Sequence, residues 1–390
     1  MPQKNPRLTN TVMTVAIVLL SYFFAQGGCS GLSTDDGIAD NGTDVTFSSA
    51  RTISSTVPDA RTVTVADLDR DGDPDVITLF SSRIAWHENL GGSATSWQQR
   101  LISNGVSDTP ESYLQAVDMN SNVQMDVFAP CGSDNLLCWF ENENGDGSLW
   151  AEQRISSVPV THAVPARIDG DADLDTFVAR QSLGLQWFEN RSEDTLSWIS
   201  RDIFLESSPF FIAAADIDGD TDLDLIAASM TGTAVTWHEN IDSGTSWTRR
   251  TIYTSASGVS RVYHADIDRD GDLDVISVSP GNGVRWHENT DGIGTAWDDH
   301  LITGETWDTV LSLGDIDRDG DIDIVAGTDN TGRVEWFENT SGNGSAWARR
   351  HIANLAGVSF VLLADLNEDG RLDVVALSRS AGIAVWYEQQ

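Results

Sequence analysis

The chemistry in this chain is most legible in aspartates placed at every second position. In the segment DLDRDGDPD, Asp67, Asp69, Asp71, Asp73 and Asp75 alternate, with Gly72 at the sixth place. This spacing can wrap the side chains of positions one, three, five and nine around one point, and position seven adds its backbone carbonyl. A hard cation requires such a cage, since Ca²⁺ takes about six to eight oxygens at ~2.3–2.6 Å. Glycine at position six permits the left-handed backbone that turns the chain around an ion. Without a cation the clustered carboxylates would repel one another. A merely solvated acidic turn is disfavoured because the pattern recurs within one chain.

The recurrences are graded. Asp266, Asp268, Asp270, Asp272 and Asp274 surround Gly271, and Asp315, Asp317, Asp319, Asp321 and Asp323 surround Gly320. Asp365, Asn367, Asp369 and Asp373 surround Gly370, with one amide oxygen in the set. Asp216, Asp218, Asp220 and Asp224 have Thr221 where glycine is wanted, so this loop is expected to bind more weakly. Two further loops are poor candidates. One has Asp118, Asn120, Asn122 and Asp126 with Val123 at position six; the other has Arg167 at position one and Ala172 at position six. About four to five structural Ca²⁺ sites are therefore expected.

These loops account for much of the charge. The chain carries 23 Lys+Arg against 60 Asp+Glu, a formal charge of −37. That sign argues against nucleic acid or an anionic lipid surface as partner. Odd-numbered loop positions hold 29 of the 60 acids, so about half the acidity belongs to candidate cation cages. No G-x-S-x-G, H-E-x-x-H or phosphate-binding loop is present. Acids repeated around the chain suit architecture better than a unique acid–base pair. The expectation is a non-enzyme; the enzymatic alternative is a polysaccharide lyase or hydrolase built from Glu111, His162, Glu206 or His300.

The elements that position the loops form an internal repeat. Trp86-His87-Glu88-Asn89 returns at Trp139, Trp187, Trp237, Trp286, Trp336 and Trp386, at spacings of 53, 48, 50, 49, 50 and 50. Each unit reads as a short apolar strand, an Asp-rich loop, an apolar run, a strand with the WHEN element, and a Trp-x4-Ile strand such as Trp97 to Ile102. Trp and Glu share one strand face, His and Asn the other. The residue after Trp is His87, Phe140, Phe188, His238, His287, Phe337 or Tyr387, which marks a packing position rather than a ligand. The tryptophans are expected to pack between units, with sugar platforms as the minority reading. The chain ends before a seventh Trp-x4-Ile strand, while a similar stretch, Val45 to Ile53, stands alone at the front. The expected fold is all-β: a seven-bladed β-propeller with four antiparallel strands per blade, closed by an N-terminal strand joining the last blade.

D-x-D-x-D-G-x-x-D after a short apolar strand, repeated in a seven-unit chain, resembles the FG-GAP/VCBS repeat of the integrin α-subunit propeller. The resemblance covers about residues 44–390. It implies Ca²⁺ in the loops of some blades, mostly structural, on the face opposite the usual ligand surface. A propeller hosts many activities, so function should lie where the units differ. Five residues before each loop stand Thr62, Tyr113, His162, Phe211, Arg261, Val310 and Phe360, and Trp307 is the one Trp outside the repeated positions. Tyr113, His162, Phe211, Arg261, Trp307 and Phe360 are the candidate ligand surface. The expected role is a monomeric binding or adhesion module for a protein or glycan ligand, with a lectin as the alternative.

The N-terminus adds an address. Lys4 and Arg7 precede an apolar run from Thr11 to Phe24, which at 1.5 Å per residue spans ~21 Å as a helix, short of a bilayer core of ~30 Å. Residues 1–28 read as a secretory signal and 29–43 as a polar tether ahead of the propeller at 44–390. Cys29 after Gly27 and Gly28 resembles a bacterial lipobox, with Gln26 as the departure. The expected location is exported: a cell-surface or outer-membrane lipoprotein held through Cys29, or a secreted or periplasmic chain. Membrane contact is expected only through that lipid. Cys131 and Cys138 flank a predicted hairpin turn and are expected either as a disulfide or as two buried thiols.

Overall fold

The apolar run after each Asp-rich loop is buried along its whole length, as a strand covered on both faces must be. Asp75–Phe80 has no exposed residue, and neither do its counterparts Asp126–Cys131, Asp175–Arg180, Asp224–Ser229, Asp274–Ser279, Asp323–Thr328 and Asp373–Ser378. The structure, a computed structural model, describes residues 45–107, 113–191, 197–206, 208–254, 258–304 and 309–390. Within them the chain forms seven sheets of four antiparallel strands. In the first blade strand A is Ala60–Ala66, B is Asp75–Phe80, C is Arg83–Asn89 and D is Trp97–Asn104. The Asp-rich loops are the A–B connections. They share one face of the ring with the C–D turns, while the D–A connections and B–C turns form the other.

The last blade takes its D strand from the front of the chain. Arg51–Ser54 pairs antiparallel with Ile383–Tyr387, placing Arg51 opposite Trp386. Arg100 stands opposite Trp86 in the same way in the first blade. Phe47 bridges Gln389 where Trp97 meets Asn89. The ring is thus closed by pairing N- and C-terminal strands, which gives the last blade four strands like the others.

Three repeated contacts explain the WHEN element. The strand C tryptophans are the largest fully buried side chains, Trp86 through Trp386. Trp86 packs with Leu114, Val127 and Ala129 of the second blade. Its ring lies against the second blade's Gly147, where a Cβ would collide with the indole. Gly244, Gly294 and Gly344 lie in the same way on Trp187, Trp237 and Trp286. Five of the seven indoles also carry an arginine on the strand D side, while Gln153 stands opposite Trp139 in the second blade. The guanidinium of Arg100 sits 5.6 Å from the Trp86 ring and donates to Glu88; Arg51, Arg201, Arg250 and Arg350 repeat this on Trp386, Trp187, Trp237 and Trp336. His300 replaces the arginine in the fifth blade, its ring 4.3 Å from that of Trp286 and 2.9 Å from Glu288.

The asparagine stitches blade to blade. The side-chain amide of Asn142 donates to the backbone carbonyl of Leu68 in the first blade at 2.8 Å. Asn240 reaches Ile168, Asn289 reaches Ile217 and Asn339 reaches Ile267, each in the preceding blade. Asn89 bonds Leu366 and Gln389 bonds Ile316, carrying the stitch across the chain termini. The histidines are core residues: His87 is buried, bonds the Thr78 hydroxyl at 3.0 Å, and burial lowers its pKa to about 4. Cys131 and Cys138 are joined as a disulfide, with Cα atoms 5.7 Å apart. The hairpin register sets Cys131 opposite Leu136 and Cys138 opposite Ala129, so the bridge runs diagonally rather than between facing residues.

Candidate functional site

Each Asp-rich loop is held by its own carboxylates. In the first, Asp67 accepts the backbone N–H of Arg70 at 2.7 Å and of Gly72 at 3.1 Å, and Asp71 accepts that of Asp73 at 2.9 Å. The fourth, fifth, sixth and seventh loops repeat the bond from position six to position one. Gly72, Gly271, Gly320 and Gly370 have φ between 82° and 98°, and Thr221 and Val123 adopt the same region at 81° and 71°. Position four is left-handed as well, at Arg70, Ser121, Gly170, Gly219, Arg269, Arg318 and Glu368. The third loop departs from this: Ala172 is not left-handed, and the Arg167 guanidinium at position one donates to the Ala172 carbonyl at 3.0 Å. A cation belonging to the chain thus stands where a carboxylate stands elsewhere.

Position nine has a second role. The two carboxylate oxygens of Asp75 accept the backbone N–H groups of Leu68 at 3.1 Å and Asn89 at 2.9 Å. Asp126, Asp175, Asp224, Asp274, Asp323 and Asp373 do the same in their blades. Position nine therefore ties the loop to strand C in every blade, including the two with poor cation loops. Burial raises its pKa to about 8 at Asp75 and Asp224 and about 7 at Asp274, Asp323 and Asp373. At position three, burial and then the neighbouring position-five carboxylate raise Asp69 and Asp218 to about 6.

The donor set fits a hard cation. Ligand oxygens of Asp67, Asp69 and Asp71 lie within 4.8 Å of one another, as do those of Asp216, Asp218 and Asp220, and of Asp266, Asp268 and Asp274. Asp169, Asp171 and Asp175 also cluster, beside Arg167. Buried carboxylate oxygens of Asp266, Asp315 and Asp321 have no hydrogen-bond partner. Such orphaned anionic acceptors are what a bound cation would satisfy. Position seven differs: the carboxylates of Asp73 and Asp272 lie against the C–D turn glycines Gly92 and Gly292, leaving the backbone carbonyl as this position's donor to the loop. Adjacent loops also touch, since Arg269 donates to the backbone carbonyls of Asp319 and Gly320 in the next blade.

The opposite face carries the unit-specific side chains. The inner strands enclose a central cavity of about 400 Å³. An aromatic wall runs along four consecutive blades: ring centres of Tyr113 and His162 are 6.1 Å apart, His162 and Phe211 4.1 Å, Phe211 and Tyr263 6.2 Å. The Arg261 guanidinium lies 5.7 Å from the Phe211 ring. Burial, and then the Arg261 charge, lower the His162 pKa to about 3, so the ring is neutral. Phe360 lines the cavity from the seventh blade, and Thr62 from the first. Val310 is buried. Trp307 and Glu111 lie outside the described residues, as do Cys29 and the rest of residues 1–44. Tyr263, two residues beyond Arg261, was missed by sequence reasoning; inward strand alternation would have found it.

Among the described residues the acid–base candidates His162, Glu206 and His300 are not brought together. His162 is on an inner strand, whereas His300 is on an outer one and serves as a Trp286 cap. Glu206 accepts from Arg249 at 2.8 Å.

A family described as "FG-GAP-like repeat" matches residues 67–129, 167–227, 216–277, 266–326 and 315–376, well over half of the chain. Every match begins at position one of a loop. No curated protein matches the chain. Among solved structures, a lectin of Agrocybe aegerita, described as recognising non-reducing terminal N-acetylglucosamine, is 15% identical with a TM-score of 0.56, over 76% of this chain and 81% of the lectin. BBS1N, solved in complex with ARL6DN, is 10% identical with a TM-score of 0.60, over 89% of this chain and 97% of that one. At these identities the likeness is one of fold.

Proposed function

The chain belongs to the FG-GAP-like repeat family, and from that premise we propose a non-enzymatic binding module with Ca²⁺ on one face and a protein or glycan ligand on the other. The calcium assignment is supported by all-oxygen donor sets of the kind hard cations take. The first, fifth, sixth and seventh loops would hold it through positions one, three, five and nine, with the fourth as a weaker site. The bound ion would neutralise the carboxylates and fix the loop backbone.

The observation that carries the binding reading is the contrast between faces. The loop face repeats the bond from position six to position one in every blade but the third, while the other gathers Tyr113, His162, Phe211, Tyr263 and Arg261 into one wall. Tyr113 and His162 are buried in this wall, and the half-buried Phe211, Tyr263 and Arg261 are the unit-specific side chains it offers to the cavity for recognition. The lectin version is favoured by that wall, and by a neighbour in fold that recognises a sugar. A glycan array probed with calcium-loaded protein tests it: a sugar signal lost in Phe211→Ala supports a lectin, and no sugar signal leaves a protein ligand. Turnover of a polysaccharide, abolished by His162→Ala, would overturn the non-enzymatic reading.

We further propose that the chain is exported and tethered through Cys29, with free secretion or a periplasmic location as the alternative. Its support is the sequence of residues 1–43. Fatty-acid labelling that disappears in Cys29→Ala is the expected result; an unlabelled wild type would point to the alternative.

A further inference from the structure

At the rim of the channel mouth, three arginines from distant parts of the chain meet. Arg61 comes from strand A of the first blade, Arg261 opens strand A of the fifth (Arg261–Ala265), and Arg379 lies in the B–C turn of the seventh. With Ser260, Ser359 and Asp329 they line a cavity of about 50 Å³. Buried Nε atoms of Arg61 and Arg379 have no hydrogen-bond partner, and neither does the Ser359 hydroxyl, whose residue is 8% exposed. Among the described residues no carboxylate lies within ion-pair distance of Arg61 or Arg379; Asp329 lines the cavity without pairing with either.

This arrangement runs against the rest of the molecule. The chain has a formal charge of −37, and the guanidiniums capping the blade tryptophans have their own glutamates. Arg61 and Arg379 bring unmet buried donors into a confined space beside Arg261, and Asp329 is the one carboxylate on the cavity wall among the described residues. Buried donors without partners are costly, and a planar guanidinium fork matches a carboxylate or sulfate. We infer that this cavity is an oxyanion-binding site, taking a carboxylate or sulfate group between Arg61 and Arg379 with the Ser359 hydroxyl as a further donor and Arg261 on the same wall. Its volume suits one such group. Arg261 also stands beside Phe211, so an anion bound here could be borne by a ligand whose body lies along the aromatic wall. The inference rests on the mouth being the ligand face, and it adds the chemistry of the anchoring group.

Calorimetric titration of the calcium-loaded full chain with sodium acetate, sodium sulfate and sodium glucuronate, at constant ionic strength in chloride, tests the site. One saturable equivalent of acetate or sulfate is expected, weakened at least tenfold in both Arg61→Gln and Arg379→Gln. Glucuronate binding more tightly than acetate would place the anion on a sugar; equal affinities would make this a site for the free ion, and either supports the anion site. The anion-free Arg379→Gln protein should melt no lower than wild type, because the substitution relieves repulsion among guanidiniums. Absence of saturable binding to the wild type, unchanged affinity in the variants, or a lower anion-free melting point in Arg379→Gln would overturn the site. A glycan or protein ligand that still binds the wall would leave the broader binding reading intact.

Discussion

The two faces of this ring are made by opposite ends of the same seven inner strands, and they differ in how far the blades agree. At the loop end, position nine is aspartate in every blade, with the same two backbone partners each time. At the mouth the corresponding positions are Thr62, Tyr113, His162, Phe211, Arg261, Val310 and Phe360. Residues repeated in register act through neighbours that are also repeated, so they hold blades together. Residues that break the repeat meet only at the axis, where each blade presents a different side chain to a common space.

The sharpest way to break the comparison is at position nine. Asp274→Ala removes the acceptor for two buried N–H groups, those of Ile267 and Asn289. At ~1–3 kcal/mol for each orphaned donor, the loss is roughly 2–6 kcal/mol. Asp175→Ala should cost about as much, although its loop carries Arg167, because Asp175 holds Ile168 and Asn190 alike. Urea unfolding of the two variants checks this. A negligible loss in Asp175→Ala would mean that position nine acts only through a cation.

The next effect in size is a pH dependence largest in metal-free protein. Burial raises Asp75, Asp224, Asp274, Asp323 and Asp373 to about 7 or 8, and Asp69 and Asp218 to about 6. In the unfolded chain these groups titrate near ~3.9. Between about pH 4 and 8 the folded chain therefore holds more protons, so stability falls as pH rises through that window. Chelator-dialysed protein should unfold at lower urea at pH 8 than at pH 5, and excess Ca²⁺ should remove most of the difference. Equal midpoints in the metal-free protein would contradict it.

The smallest effect tests the loop backbone alone. Thr221 holds φ of 81°, where its four glycine counterparts sit without a Cβ. Thr221→Gly should stabilise by about 1 kcal/mol and tighten Ca²⁺ at the fourth loop. Destabilisation, or unchanged metal affinity, would show that Thr221 is accommodated without strain.

Much of this architecture was legible in the sequence because its signals repeat. The WHEN period marked seven blades, and Ile53 placed the N-terminal strand in the register that sets Arg51 on Trp386. The loops were legible as alternating carboxylates. Other features were hidden for physical reasons. Position nine reads as a metal ligand by type and spacing, but nothing in the pattern says that both its oxygens already accept backbone N–H groups. The WHEN asparagine bonds a carbonyl some seventy residues away in the preceding blade, as Asn289 does with Ile217. Arg61 and Arg379 belong to opposite ends of the chain and to different structural positions, so only ring closure brings them to one cavity.

The central claim is that the repeated carboxylates are cation cages that help hold the ring. Thermal unfolding of one preparation, calcium-loaded and then depleted with depletion verified by metal analysis, tests it most directly. Ligation restricted to the folded state contributes ~2.7 kcal/mol per site at a hundredfold excess over Kd. The account predicts about four to five Ca²⁺ released per chain and a fall in melting temperature far beyond any ionic-strength effect. An unchanged melting temperature in verified metal-free protein would contradict it.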